Sequence, residues 1–348
     1  MRAAVLTATG GLDHIQITDV PDAPAPRAGE VRVALRAAAL NHLDLFVAEG
    51  LPGTAERFPH IVGADGAGVI ESVGAQVTSV RPGDRVMLNP GISDYTCEFC
   101  KAGEHSLCIN YRLLGEHLPG TMAGQVTVPV HNVARIPAVD PGLSWAEAAA
   151  FSLVTLTAWR MVVTRAQLQA GETALIWGIG GGVSLAALRI AKLIGARAIV
   201  TSSSDAKLAA ASQLGADITL NHRTQEVAKE VRALTNKRGV DVVIENVGAA
   251  TWENSLRCLR RGRRLVSCGA TSGPTVHLDL RRMFWHHWTL MGSTMGNAAE
   301  YVEVVRRLGQ GELRPIVDRV FPLAQARDAY ERLQRAEQLG KIVIDLTS

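Results

Sequence analysis

Residues 173–184 read TALIWGIGGGVS. A short apolar run ends at Gly178. Glycines follow at Gly180, Gly181 and Gly182, and Val183–Ile194 (VSLAALRIAKLI) then places apolar residues at helical spacing. Strand, glycine turn and helix in that order form a cradle for a dinucleotide diphosphate. The glycines permit the tight turn and let backbone N–H groups approach the anion, and the helix N-terminus adds partial positive charge. Gly178, Gly180, Gly181, Gly182 and Val183 are the expected cofactor contacts. Where the usual fingerprint ends in glycine this chain has Ser184, which is small enough to keep helix and strand close.

Outward from this turn the pattern repeats. Expected strands at 197–203, 217–221, 241–247 and 264–270 alternate with expected helices at 205–214, 224–235 and 251–260. Such a βαβ rhythm implies a parallel sheet with helices on both faces. The second strand ends in Ser202, Ser203 and Ser204, where NAD-specific sites usually carry a carboxylate for the ribose diol, about 20 residues past the glycines. Hydroxyls at Ser202 and Ser203, with Lys207 and Arg223 nearby, suit a 2′-phosphate, so NADP is expected. NAD stays open through Asp205.

The first third has a different texture. Short strands, expected at 1–8, 14–20, 30–35 and 68–73, are broken by turns such as Pro82-Gly83-Asp84 and Asn89-Pro90-Gly91. A chain of 348 residues favours two domains. A net charge of +3 makes no case for nucleic acid. No apolar run reaches membrane-spanning length, and the N-terminal segment lacks the apolar core of a secretion signal, so a cytoplasmic protein is expected. Of five cysteines, Cys97, Cys100 and Cys108 crowd into SDYTCEFCKAGEHSLC at 93–108. In a reducing compartment that spacing favours a metal over disulfides.

Several further segments carry a resemblance: Gly63-Ala64-Asp65-Gly66-Ala67-Gly68, Val80–Val86 (VRPGDRV), Leu156-Thr157-Ala158-Trp159 and the closing Gly340-Lys341-Ile342-Val343. With the cysteine loop and the glycine turn, they resemble the medium-chain dehydrogenase/reductase superfamily of zinc alcohol dehydrogenases and quinone oxidoreductases. The resemblance implies an α/β fold, a GroES-like β catalytic domain plus a doubly wound Rossmann domain. The implied segments are 1–150 with a zinc lobe, 151–292 for the cofactor, and a tail of two helices and a strand, 293–348, that completes the catalytic domain. It carries Thr157, Val247, Gly248, Gly269, Ala270 and Gly292 over as nicotinamide contacts, and it implies a homodimer pairing through 287–294.

The family's structural zinc loop has four cysteines. Cys97, Cys100 and Cys108 match the last three, and Asp94 stands where the first would be. A carboxylate can complete a tetrahedral zinc site, and four protein ligands leave no open position for chemistry. His105 is the rival fourth ligand, and Asp94 could instead cap a turn. The catalytic zinc of the alcohol dehydrogenases would fall on Asn41, Ala64 and Leu153, none of which donates as a thiolate or imidazole does. This pattern resembles the quinone oxidoreductase branch, with Asn41-His42-Leu43-Asp44 in place of the cysteine segment. The expected activity is hydride transfer from NAD(P)H to a quinone or α,β-unsaturated carbonyl. Asn41 is expected to face the developing oxyanion, His42 to supply a proton and Asp44 to orient the segment. An alcohol dehydrogenase or carbonyl reductase, and a non-catalytic cofactor-binding protein, are the alternatives. The loop Gly115–Gly120 is expected to line the substrate cleft, Trp285, His286 and His287 either line it or belong to core and subunit contact, and Arg260, Arg261, Arg263 and Arg264 form a small basic cluster that a solvated turn explains as well.

Overall fold

The computed structural model describes residues 1–51 and 58–347. The chain divides into one unit of Met1–Leu153 with Asn297–Ser348, and a second of Val154–Gly296. The sequence placed the breaks at 150/151 and 292/293.

The first unit is built on the strand Glu30–Ala39. Its side chains alternate, with Val31, Val33 and Leu35 buried, and this face packs with Ile70, Val86, Leu88, Val126 and Val128. Each such burial stabilises the fold by about 1.5–3 kcal/mol. The strand pairs antiparallel with Asp65–Val73, with Gln125–Pro129 and with Lys341–Asp345. The C-terminal tail also adds a strand that the sequence reading missed, Val317–Pro322, parallel to Lys341–Asp345. Register is what matters for the site. Ala39 stands opposite both Asp65 and Val343, and Leu40 N–H donates to Ile342 O. Residues 41, 65 and 341, which are far apart in sequence, therefore meet at one end of the sheet.

The second unit is a six-stranded parallel sheet. Its spatial order is Ile218–Asn221, Arg197–Ser202, Thr173–Ile176, Val240–Glu245, Leu259–Ser267, Thr289–Gly292. The order reverses between Thr173–Ile176 and Val240–Glu245, the switch point at which doubly wound sheets bind ligands. Central strands buried on both faces read as continuous apolar runs, and Leu175, Ile176, Ile199, Val200, Val243 and Ile244 are fully buried. The helix Gly182–Ile194 lays Leu185, Leu188 and Ile190 into the core and ends at Gly195 in the left-handed region.

The start of the fifth strand differs from expectation. The helix stops at Cys258, and Leu259–Ser267 is strand. The arginine run, for which a solvated turn was one explanation, is extended backbone paired with Val240–Glu245, and three of its guanidinium groups find carboxylates. Arg260 pairs with Asp241 at 2.8 Å, Arg263 with Asp241 at 3.1 Å, and Arg264 with Glu172 at 2.5 Å. No helix among the described residues is long and apolar enough to cross a membrane.

Candidate functional site

Asn41 ends the sheet segment and caps the helix His42–Glu49. Its N–H donates to Asp44 Oδ2 at 2.9 Å, which satisfies a group that a helix start leaves open. The Asn41 side chain lies in a buried cluster. Its Nδ2 donates to Asp65 Oδ2 at 3.0 Å and toward Ala39 O at 3.4 Å, and its Oδ1 accepts from Lys341 Nζ at 2.5 Å. Lys341 Nζ also donates to Asp65 Oδ2 at 2.9 Å, and Leu153 N–H donates to Asp65 Oδ1 at 2.9 Å. Lys341 is only 4% exposed and Asp65 not at all. Thr121 Oγ1 donates to Asp65 O at 2.7 Å and so ties the 120–122 segment to this strand.

This is the place where the family resemblance puts a catalytic zinc, and the residues do not fit one. Ala64 and Leu153 offer no side-chain donor. The one carboxylate there already accepts from an ammonium, an amide and a backbone N–H, and a divalent cation beside it would have to displace the Lys341 charge. The amide expected to face a substrate oxygen instead spends its hydrogens inside the cluster, which makes Asn41 an anchor for Lys341. Asp44 is buried, and desolvation pushes its carboxyl up to about 7 against the opposing pull of the Asn41 N–H. Burial, and then the charge of Lys341, hold the His42 imidazole below its ordinary value. The neutral ring is therefore its form at pH 7. His60 is also buried and pushed down by desolvation. The loop Gly115–Gly120 lies against Gly63, where a Cβ at Gly115 or Gly120 would come within 2.4 Å or 2.3 Å of Gly63 O. That close approach explains why both are glycine.

The cysteine lobe gathers its donors. The ligand atoms of Asp94, Cys97, Cys100 and Cys108 all lie within 4.8 Å of one another. A tetrahedral zinc with bonds of about 2.3 Å would bring them to roughly 3.8 Å. Asp94 caps a turn and also belongs to the converging donor set. Its Oδ1 accepts from Thr96 N at 2.8 Å and Cys97 N at 2.9 Å, and its Oδ2 from Asn110 Nδ2 at 2.7 Å. A carboxylate has about four acceptor positions, so one remains for a metal. Asp94 N–H points at Cys108 Sγ at 3.4 Å, the contact that favours a thiolate. Burial and the adjacent thiols push Cys100 up to about 12, since three thiolates cannot share this space without a cation. His105 faces elsewhere. Its Nδ1 accepts from Ala298 N at 3.3 Å, and its ring lies 4.6 Å from that of Tyr95.

In the second unit the glycine turn adopts the expected cradle. Gly178 and Gly180 have φ of 66° and 134°, backbone that L side chains rarely adopt. The first intrahelical bond runs from Leu185 N to Gly181 O, so the amides of Gly182, Val183 and Ser184 precede the helical ladder. These features fit a diphosphate. Ser184 does more than fill a glycine position. Its Oγ donates to Trp177 O at 2.7 Å and accepts from Asn246 Nδ2 at 2.7 Å, linking the turn to the end of the neighbouring strand.

At that strand end Val247, Gly248, Gly269 and Ala270 come together. A Cβ at Gly248 would meet Gly273 O at 2.6 Å, and one at Gly269 would meet Asn246 O at 2.8 Å. The residue that organises them was missed in the sequence. Glu245 is fully buried, and its carboxylate accepts from Val247 N, Gly248 N, Thr251 Oγ1 and Ser255 Oγ at 2.6–3.1 Å. A charged residue closing the apolar run VDVVIE was the available signal. Thr157 is buried with its Oγ1 3.7 Å from Met295 Sδ, and Gly292 O accepts from Arg165 Nε at 3.1 Å.

Ser202 is buried and its Oγ accepts from Ser204 N at 3.2 Å, Ser203 and Arg223 are exposed, and Lys207 is half-buried. Asp205 Oδ1 accepts from Asn221 Nδ2 at 2.7 Å. Trp285 and His287 are exposed at the end of the helix Leu280–His286, and Trp285 is 66% exposed.

Known proteins share the two-part fold. The alcohol dehydrogenase GroES-like domain model matches residues 27–138, and the zinc-binding dehydrogenase model matches residues 182–310. An NAD-dependent alcohol dehydrogenase of Sulfolobus acidocaldarius is 30% identical, with 100% of both chains covered. An acryloyl-coenzyme A reductase of Metallosphaera sedula is also 30% identical, with 99% of both covered. The crystal structure of an NAD-dependent alcohol dehydrogenase is 42% identical with a TM-score of 0.94, covering 99% of this chain and 100% of that one.

Proposed function

This chain belongs to the zinc-type medium-chain dehydrogenase/reductase superfamily, and from that membership we propose that it reduces a conjugated electrophile, a quinone or an α,β-unsaturated carbonyl or thioester, without a catalytic zinc. The observation that carries the proposal is the closed cluster of Lys341, Asn41 and Asp65 at the place of the metal. An alcohol must lose its proton before it gives up hydride, and a Lewis acid makes that easy near neutral pH. An ammonium already neutralised by Asp65 does not replace it. A conjugated acceptor needs less help, because hydride enters at the β-carbon and the π electrons spread onto the oxygen.

When bound, reduced nicotinamide supplies that hydride. The glycine turn and the first amides of the helix Gly182–Ile194 hold the diphosphate, and Glu245 fixes the 247–248 loop. In the first unit Asn41 and Asp44 are positioning residues. Lys341 keeps a fixed positive charge inside the cluster. His42, neutral at pH 7, is the nearby group able to exchange a proton with the reduced product, directly or through water. We assign one structural zinc to Asp94, Cys97, Cys100 and Cys108. We also assign a preference for NADPH, supported by the absence of a carboxylate at Ser202, by exposed Arg223 and by the engagement of Asp205 with Asn221. A homodimer is proposed on the family's pattern.

A metal count with a substrate panel tests the reading. One zinc per chain is expected. Turnover of enones, enoyl thioesters or quinones should exceed oxidation of secondary alcohols and should survive 1,10-phenanthroline. The second reading, alcohol dehydrogenase, draws on the similarity to proteins that carry that name. It requires two zincs and chelator-sensitive alcohol oxidation, and that pair of results would overturn the first. A faster turnover with NADH than with NADPH would overturn the cofactor assignment alone.

A further inference from the structure

The parallel sheet has two ends, and the glycine turn uses only one. At the other, the strands Val240–Glu245 and Leu259–Ser267 begin and the helices Val227–Leu234 and Ala249–Cys258 finish. A cavity of about 790 Å³ lies there, within the range of small-ligand sites. Its lining is dominated by lysine and arginine, with Glu226 as the one acidic residue.

What matters is how much of that charge the chain already neutralises. Arg257 pairs with Glu226 at 3.1 Å, Arg260 with Asp241 at 2.8 Å, and Arg282 with Glu253 at 2.7 Å. Arg238 makes a longer contact with Asp241 at 3.8 Å. Lys229, Arg232, Lys237 and Arg261 line the same cavity, and among the described residues none of them makes an ion pair. Helix ends explain part of this. Arg232 sits in the last turn of its helix, where the negative end of the dipole favours a cation by under about 1 kcal/mol. Lys237 and Arg261 lie beyond the helix ends and have no such reason. Arg261 is also the member of the 260–264 arginine run that holds no carboxylate.

His286 lies in the same field. Its imidazole is held below its ordinary value by burial, and then by Arg261, Arg282 and Arg232. Its Nδ1 is buried without a hydrogen-bond partner. The ring stacks on Trp288 at 4.8 Å, and Trp288 Nε1 donates to Arg260 O at 3.2 Å, so the aromatic wall is closed to a stacking base. Recognition here must run through charge.

We propose that this cavity is a second anion site, for a small ligand carrying two or more phosphate groups and distinct from the dinucleotide turn. Several unpaired cations converging on one concavity match several negative charges on a compact molecule. The concave shape and a lining whose one indole, Trp288, is buried argue against single-stranded nucleic acid, which uses extended grooves and stacking. The site stands whether or not the conjugated-electrophile reading is correct.

Calorimetric titration of the cofactor-saturated enzyme with inorganic tripolyphosphate tests it, since a saturated glycine turn cannot contribute. One binding event per chain is expected, weakening as salt rises because the charges are exposed. The combined substitution Arg232→Gln, Lys237→Asn and Arg261→Gln removes three exposed, unpaired cations, and Asn tolerates the left-handed backbone at 237, where φ is 65°. It should weaken tripolyphosphate by at least about tenfold, with the melting temperature and cofactor affinity unchanged. If that variant does not fold, Arg261→Glu alone gives the same readout. Equal affinity in variant and parent, or no binding once cofactor is saturating, overturns the site. A ten-nucleotide RNA that binds more tightly than tripolyphosphate, and is lost in the same variant, overturns the small-ligand assignment.

Discussion

Two regions of the first unit lie where the resemblance puts the family's two metal sites, and they differ in opposite directions. In the cysteine lobe a carboxylate stands beside three cysteines, and four ligand atoms converge. At the other position Ala64 and Leu153 offer no donor, and the Asp65 carboxylate is engaged by the Lys341 ammonium. The fold is shared, so fold alone does not decide whether a metal is held. The number of donor atoms decides it, together with what already occupies them.

Lys341→Met presses hardest on that contrast. It leaves the Asp65 carboxylate buried with one amide and one backbone N–H, and breaking a buried pair from one side costs about 3–5 kcal/mol. The urea midpoint should fall accordingly, and turnover should drop by about 100-fold or more, because Asn41 loses its anchor and the cluster loses its positive charge. Lys341→Arg should restore part of both. Turnover that survives Lys341→Met, in protein shown to be folded, would mean that the cluster is structural only.

Lys341 also marks the limit of what the sequence discloses. The strand–turn–helix at 173–184 was legible because local spacing and glycine chemistry determine it. So was the donor count at 94–108, which lies in one short loop. The partnership of Lys341 with Asn41 spans 300 residues and depends on the register that sets Ala39 opposite both Asp65 and Val343. No local pattern carries that. The same applies to Asn41, where an amide free to donate and one already spent look identical in sequence. The arginine run was misread for a related reason, since its partners Asp241 and Glu172 come from separate strand starts. Glu245 alone could have been found locally.

The next effect in size concerns pH. Burial raises the Asp44 carboxyl from 3.8 to about 7, so between those values the folded state holds a proton that the unfolded chain has lost. Asp44 therefore adds stability that is fully present below about pH 4 and is lost as pH rises to about 7, at up to about 1.4 kcal/mol per pH unit. Asp44→Asn keeps an oxygen to accept the Asn41 N–H and does not titrate. Subtracting its stability curve from the parent's isolates this slope from other carboxylates such as Asp217, whose lowered values act in the opposite sense. A flat difference between pH 4 and 7 would show that Asp44 is already ionised in the folded chain, and the cluster would then carry a net negative charge.

The smallest effect on turnover belongs to the lobe. Cys97→Ser takes one thiolate from a set of four donors, and zinc per chain should fall from about one toward zero. Structural metal contributes directly to the stability of the segment it closes. The 94–110 loop should therefore become protease-sensitive, and the melting temperature should drop by several degrees. Hydride transfer should change by less than about threefold, because a closed four-ligand site gives substrate no open coordination position. Asp94→Cys sharpens the same point from the other side. It restores four thiolates and should tighten zinc against chelators, but it removes the acceptors for Thr96, Cys97 and Asn110, so the gain in metal affinity comes with a looser turn. If Cys97→Ser instead abolished turnover while leaving the melting temperature in place, the two metal positions would have exchanged roles, and the lobe would have to be treated as part of the reacting site.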